Sequence, residues 1–273
     1  MSFDALQTSA TGMLGATTKV SVVGNNIANV NSTAFKSGRV DFADLFYDLI
    51  LSPGIGLNPQ TESPLGKEFG DGVQVVSVTT NYNQGPPIQG LPLDLYINSP
   101  QSDFPAFFRV TDPDGNILYT RNGAFEPKAA GAQGQLRLEI NNVSYPIDPP
   151  ITLTGDPGGA SVSRDGFVFE GNNPDPIGRI ELSRFQNPDG LVQLGQTFYV
   201  PSGSSGDPID GFPLEGDFID TEILDNTLEG SNVNLTIELV DLIQASQMFQ
   251  SSAQAFQTAN EELTTTLDLF QQT

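Results

Sequence analysis

The chain has 273 residues, with 33 acidic against 11 basic, a formal net charge of −22, and no Cys, His or Trp. That balance leaves no basic patch for the phosphates of a nucleic acid and opposes docking on an anionic membrane. Disulfides, zinc sites of the Cys/His type, thiol nucleophiles and Ser-His-Asp triads are excluded by residue type alone.

At the N-terminus there is no basic region followed by an apolar run and a cleavage site, so no cleavable signal peptide is expected. No stretch of 18 apolar residues occurs, so no membrane insertion is expected either. Instead Phe3, Leu6, Ala10, Met13, Thr17, Val20, Gly24 and Ile27 recur at alternating steps of three and four, the seam of a coiled-coil helix. Ser2 is placed to cap it and Asp4 lies in its first turn. Gly12, Gly15 and Gly24 each weaken it by nearly ~1 kcal/mol relative to alanine. A helix this poor needs partners, and residues 1–30 are expected to fray in an isolated subunit. Val22 and Val23 leave the seam and face something else. The helix runs out through Asn25, Asn26, Ile27, Ala28, Asn29, Val30 and Asn31, since asparagine tolerates left-handed geometry and bonds its own backbone.

Residues 41–50 have a short amphipathic character and end at Ser52-Pro53-Gly54. A polar loop punctuated by Pro and Gly follows as far as Gly72. All 20 prolines lie between Pro53 and Pro213, so the middle of the chain is unlike its ends. From Val73 the period becomes two. Val73 and Val75, then Val76 and Val78, change phase, which suggests a bulge. Leu91, Leu93, Leu95 and Ile97 alternate as a strand. Residues 107–111 and 117–121 flank Asp112-Pro113-Asp114-Gly115, a type I turn, and so form a hairpin. A second hairpin turns at Asn141-Asn142, a third at Arg164-Asp165-Gly166, and residues 180–185 turn through Asn187-Pro188-Asp189-Gly190. This spacing predicts an antiparallel all-β domain, sandwich-like or barrel-like.

The C-terminal stretch 232–272 repeats the helical pattern: Leu239, Leu242, Ser246, Phe249, Ala253, Phe256, Asn260, Leu263, Leu267 and Phe270. Val240, Ile243, Ala245, Met248 and Ala255 widen the apolar stripe. Asn234 is its cap. Such a helix runs roughly 55 Å, longer than a small domain, and requires another long helix beside it. The fold class is therefore α+β, with long N- and C-terminal helices in a coiled-coil-like pair and an all-β centre looped out between them. The organisation is 1–35, an axial helix and Asn-rich motif; 36–84, an amphipathic segment and extended loop; 85–231, an acidic β-domain; and 232–273, the second axial helix. No charge occurs between Asp4 and Lys19, between Lys19 and Lys36, or between Asp241 and Glu261. A solvated helix face normally carries charge, so these faces are expected to be covered by further copies. The plain alternative is a two-helix stalk on a monomer.

The run Asn25, Asn26, Ile27, Ala28, Asn29, Val30, Asn31, then Phe35 and Lys36, resembles the axial proteins of the bacterial flagellar rod and hook. Gln84-Gly85, Leu93-Asp94-Leu95, Phe107 to Val110, Tyr119 to Phe125, Arg164-Asp165-Gly166, Phe185 to Leu191, Gly195 to Tyr199 and Leu228 to Leu235 follow that family's order. Two positions in the first motif depart: Gly24 stands where the family usually has a helix former, and Ala34 where it often has glycine. The second argues against a left-handed turn at position 34. Tyr96 stands where the family usually has a small residue.

The resemblance implies a structural subunit of the distal rod, with a short hook protein as the alternative and a phage-tail or surface-fibre subunit behind both. It further implies a helical homopolymer, contacts with other rod and hook proteins, passage through the flagellar export apparatus as an unfolded chain, and a place in the basal body outside the cytoplasm. Leu6, Met13, Val20, Ile27, Leu239, Leu242, Phe249, Phe256 and Leu263 are the expected assembly seam, and Asn25 to Asn29 with Phe35 and Lys36 set how the chain leaves the tube. No catalytic residue, cofactor or metal is expected. Asp112 with Asp114, Asp207 with Asp210, and the run Glu215, Asp217, Asp220, Glu222, Asp225 sit in turn-rich contexts that suit a solvated surface better than a glycosidase pair or a calcium loop.

Overall fold

The computed structural model describes residues 2–51, 67–99, 104–130, 133–153, 160–171 and 173–271. The fold is the expected α+β, in two compact units. One comprises residues 1–28, 38–79 and 234–273 and is called here the helical unit; the other, 29–37 and 80–233, is the β unit.

The helical unit holds α1 (Ser2–Ala28) and α2 (Leu235–Gln271) with the strands β1 (Gly38–Asp44), β2 (Tyr47–Leu51), β3 (Lys67–Gly70) and β4 (Val73–Thr80). β1 pairs with β4 and β2 with β3. The side chain of Asn234 caps α2 by accepting from the N–H groups of Thr236 and Ile237. Ser2, expected as a cap, is instead the first helical residue. The helices are antiparallel: Gly12 lies against Ser252, Lys19 pairs with Asp241 at 2.8 Å, and Asn26 donates to Glu238 at 3.1 Å. In that register the last turns of α2 run past the start of α1.

The seam of the pair is displaced from the one read in the sequence. Leu6, Met13, Val20 and Ile27 on α1, and Leu242 and Leu263 on α2, are only half-buried, while Leu239, Phe249 and Phe256 are exposed. The buried positions along the contact line are Ser9, Ala16 and Val23 on α1, and Ala245 and Ala259 on α2 with half-buried Ser252 between them. Each lies one residue before the expected Ala10, Thr17 and Gly24, or Ser246, Ala253 and Asn260. Small side chains at seven-residue steps let two helices approach closely, and the bulky residues then flank the line of contact. α1 is continuous from Ser2 to Ala28, with α2 on one side and β1 and β4 on another: Gly15 lies against Phe42 and Val73, and Val22 against Gly38. The expected loop falls outside the described residues over 52–66, and its end is β3. β4 is one unbroken strand through the predicted phase change.

The β unit is built on a six-stranded antiparallel sheet in the order Val192–Gly195, Phe198–Val200, Ile117–Thr120, Ala106–Thr111, Leu182–Arg184, Ile209–Gly211. The hairpins predicted at 112–115, 141–142 and 164–166 all form. Asn141 and Asn142 both adopt positive φ, 51° and 65°, as a two-residue hairpin turn demands. Alternation along Ala106–Thr111 sends Phe108 and Val110 into the main core with Leu136, Leu138, Leu182 and Ile223. Phe107 goes to the other face, among Tyr119, Phe185, Leu191 and Tyr199. Among the described residues no sheet closes into a barrel. The strand expected from Leu91 is shorter than predicted and runs Leu95–Asn98. Leu93, buried with φ 73°, belongs to the turn before it. Two backbone constraints explain why. Asp94 accepts the N–H of Leu91 at 2.6 Å, and Leu95 donates to the carbonyl of Gly123 at 2.9 Å.

Candidate functional site

Two features stand apart from ordinary packing, one in each unit. The first is a buried charge cluster in the β unit. Lys36 donates to the carboxylate of Glu229 at 2.6 Å and to the carbonyl of Asn83 at 2.8 Å. Arg121 Nε donates to the other oxygen of Glu229 at 2.9 Å, and its guanidinium also reaches the carbonyl of Ala106 at 2.6 Å. The N–H of Gly85 adds a 2.9 Å bond to Glu229 Oε1. All three charged side chains are essentially inaccessible to water. Burial, reinforced by the neighbouring Arg121, lowers the Lys36 pKa to about 8 despite the opposing pull of Glu229. The two cations hold the Glu229 carboxyl below its usual range, although burial pushes it up.

The surroundings are built for this arrangement. Ala34 donates its N–H to the carbonyl of Glu229 at 2.8 Å, and it does so with φ 56°. The left-handed turn that alanine argued against is therefore present, held by a buried hydrogen bond in spite of its steric cost. Asn232 closes the same region, accepting from the N–H of Ser37 and donating to the carbonyls of Asn81 and Asn83. Gly85 admits no side chain, since a Cβ there would lie 1.9 Å from the carbonyl oxygen of Gly230. The Tyr96 hydroxyl, in place of the family's small residue, donates to the Gly85 carbonyl at 3.1 Å.

The second feature is the outer surface of the helical pair. Ile237, Leu239, Val240, Ile243, Met248 and Phe249 stand exposed on α2, and Phe3 and Leu14 on α1 are 74% and 70% exposed. Isolated exposed apolar residues are ordinary, but this many large apolar side chains exposed along one helix, which carries no charge from Leu242 to Asn260, mark a surface that meets something.

The motif residues divide between the units. Asn26 is buried in the helical unit, where its amide exchanges two 2.9 Å bonds with the backbone of Gly38 in the manner of a strand pair. Asn25 and Ala28 are exposed on the last turn of α1. In the β unit Asn29 accepts from Ser32, half-buried Phe35 accepts at its carbonyl from Asn232, and Lys36 enters the charge cluster. Arg121 and Glu229 were not singled out by sequence reasoning. The available signal was that both sit inside family-like stretches.

Several of the acidic residues weighed for chemistry have partners of their own. Asp210 and Glu181 pair with Arg109, Glu215 with Arg179, and Glu222 accepts from Asn98. Asp112 and Asp114 lie in the hairpin turn. Among the described residues no group of three or more acidic, Cys or His side chains could hold a metal.

Comparison with known proteins agrees with the arrangement of the chain. Residues 105–170 match the family model of the flagellar hook protein FlgE/F/G D1 domain. Residues 224–269 match that of the flagellar basal body rod FlgEFG protein C-terminal. These define a class of subunit common to rod and hook. The match to rod proteins extends further: the flagellar basal-body rod protein FlgG of Buchnera aphidicola subsp. Schizaphis graminum is 34% identical over 265 residues, covering 95% of this chain and 96% of that protein. The FlgG of Bacillus subtilis is 31% identical over 268 residues, covering 95% and 96%. The flagellar hook protein FlgE of Escherichia coli is 32% identical over 123 residues, 45% of this chain and 25% of its own. The chain belongs to the family of the flagellar basal-body rod protein FlgG.

Proposed function

We propose that this chain is a structural subunit of the distal rod of the flagellar basal body. Copies of it form a hollow axial tube that transmits torque and passes exported subunits. The observation that carries self-assembly is the set of large apolar side chains on α2 that the single chain leaves in water, on a helix without charge from Leu242 to Asn260. Burying each large side chain there in neighbouring copies contributes about 1.5–3 kcal/mol, summed over many contacts per subunit. The proposed assembly seam remains Leu6, Met13, Val20, Ile27, Leu239, Leu242, Phe249, Phe256 and Leu263, the half-buried and exposed large residues that flank the small-residue line within the pair. Other rod and hook proteins meet the two ends of the polymer, and the subunit reaches its place outside the cytoplasm through the flagellar export apparatus. Its role is mechanical, without catalysis.

Full-length similarity to rod proteins, against partial similarity to a hook protein, favours rod over the alternative of a short hook subunit. Ile243→Asp and Phe249→Asp are expected to leave the β unit folded and abolish polymers. Filaments of wild-type yield in electron micrographs of either variant would overturn the assembly reading.

A further inference from the structure

Glu229 stands in an unusual position in the order of the chain. It neutralises two buried cations that are remote from it in sequence, 193 residues away for Lys36 and 108 for Arg121. Among the described residues no other carboxylate pairs with either. The short strand that carries it, Thr227–Glu229, pairs with Pro87–Gln89, and the residues just beyond bond to Pro86, Phe35, Ser37, Asn81 and Asn83. Arg121 lies one residue past the hairpin strand Ile117–Thr120 and bonds Ala106, the first residue of the opposite strand. Packing that hairpin into the unit therefore buries Arg121. Without Glu229 it would be buried as an unpaired charge beside a second cation, at a cost comparable to a large part of a domain's stability.

We propose that Glu229 is a closing bolt for the β unit. The hairpin 106–120 and the segment 34–37 do not settle until the strand 227–229 delivers its carboxylate, so the unit closes in one late step. Long-range contacts already form late for reasons of loop entropy. Here charge adds a condition that a local hairpin would otherwise escape. For a chain presented N-terminus first, the consequence is that the β unit stays open until almost all of its sequence is available.

Pulse-labelled hydrogen exchange during refolding of the full chain tests this. Amides of 106–111 and 117–120 are expected to gain protection in the same kinetic phase as 227–232. Stable protection of the hairpin while 227–232 is still labelled would overturn the proposal, and this wild-type measurement does not depend on any variant folding. In the triple variant Lys36→Met, Arg121→Met, Glu229→Met the condition is removed, and the hairpin should become protected about tenfold or more faster than 227–232. If the triple variant folds with the two regions still synchronous, the coupling is not electrostatic and the proposal fails.

Discussion

In the β unit Phe107, Phe108, Phe125, Phe185 and Phe218 are almost wholly enclosed, whereas in the helical unit the enclosed positions along the helix contact are Ser9, Ala16, Val23, Ala245 and Ala259, and the large residues are half-buried or exposed. The contrast is between a unit that encloses its largest aromatic side chains within one chain and one that leaves its large side chains half-buried or exposed. Enclosing a phenylalanine is worth about 1.5–3 kcal/mol, and a serine or alanine contributes far less. What small residues offer is proximity: two backbones close enough for the seam to be narrow, with the bulky side chains free for other contacts. The β unit also encloses the linked charges of Lys36, Arg121 and Glu229, at the cost of requiring all three together.

Perturbations should respect this difference. The largest effect is expected from Gly85→Ala in the β unit, where the added methyl collides with backbone that is itself hydrogen-bonded to Pro86. A loss of about 3 kcal/mol or more in denaturant-derived stability is expected. A loss below ~1 kcal/mol would show that the strand 227–229 is loosely held.

Next in size is a pH effect. The Lys36 pKa is about 8 in the folded chain against an ordinary lysine value of 10.5, so between these values the unfolded chain binds more protons and stability rises with pH. Below pH 8 the full penalty of the buried ammonium is present. The gain by pH 10 is about 2 kcal/mol. Beyond that Tyr82, pushed up to about 12 by burial, and Tyr96, Tyr119 and Tyr199, also raised by burial, work in the opposite direction. Lys36→Met should flatten the rise between pH 8 and 10 in urea titrations of the full chain.

The smallest effect belongs to the helical unit. Gly24 lies in α1 with open space where a Cβ would go, so Gly24→Ala should stabilise by about 1 kcal/mol. At Gly12 the same change meets Ser252 Oγ at 2.8 Å and should lose most of that gain. Equal gains at both sites, measured by thermal unfolding, would mean that the helices are not packed along the line described.

Chemistry written into single residues was legible in advance. Asn234 capped α2 as its side chain requires, and Asn141-Asn142 turned a hairpin because asparagine accepts positive φ. The motifs pointed to the rod and hook family, and full-length relatives agree. Ala34 shows the limit of that reasoning. Its own preference argues against φ 56°, but the bond to Glu229 prevails.

The heptad spacing therefore determined by itself that two long helices exist, because period is a local property of the sequence. Which flank of the stripe closes was decided only when the helices met. Ala245 and Ser246, or Ala16 and Thr17, are neighbours of similar size, and the choice depends on how near the two backbones come. Likewise the sequence supplied Lys36, Arg121 and Glu229 as three unrelated charges. Only the tertiary structure brought them together, because a cation taken out of water is costly to leave unpaired and its carboxylate here comes from a distant part of the chain.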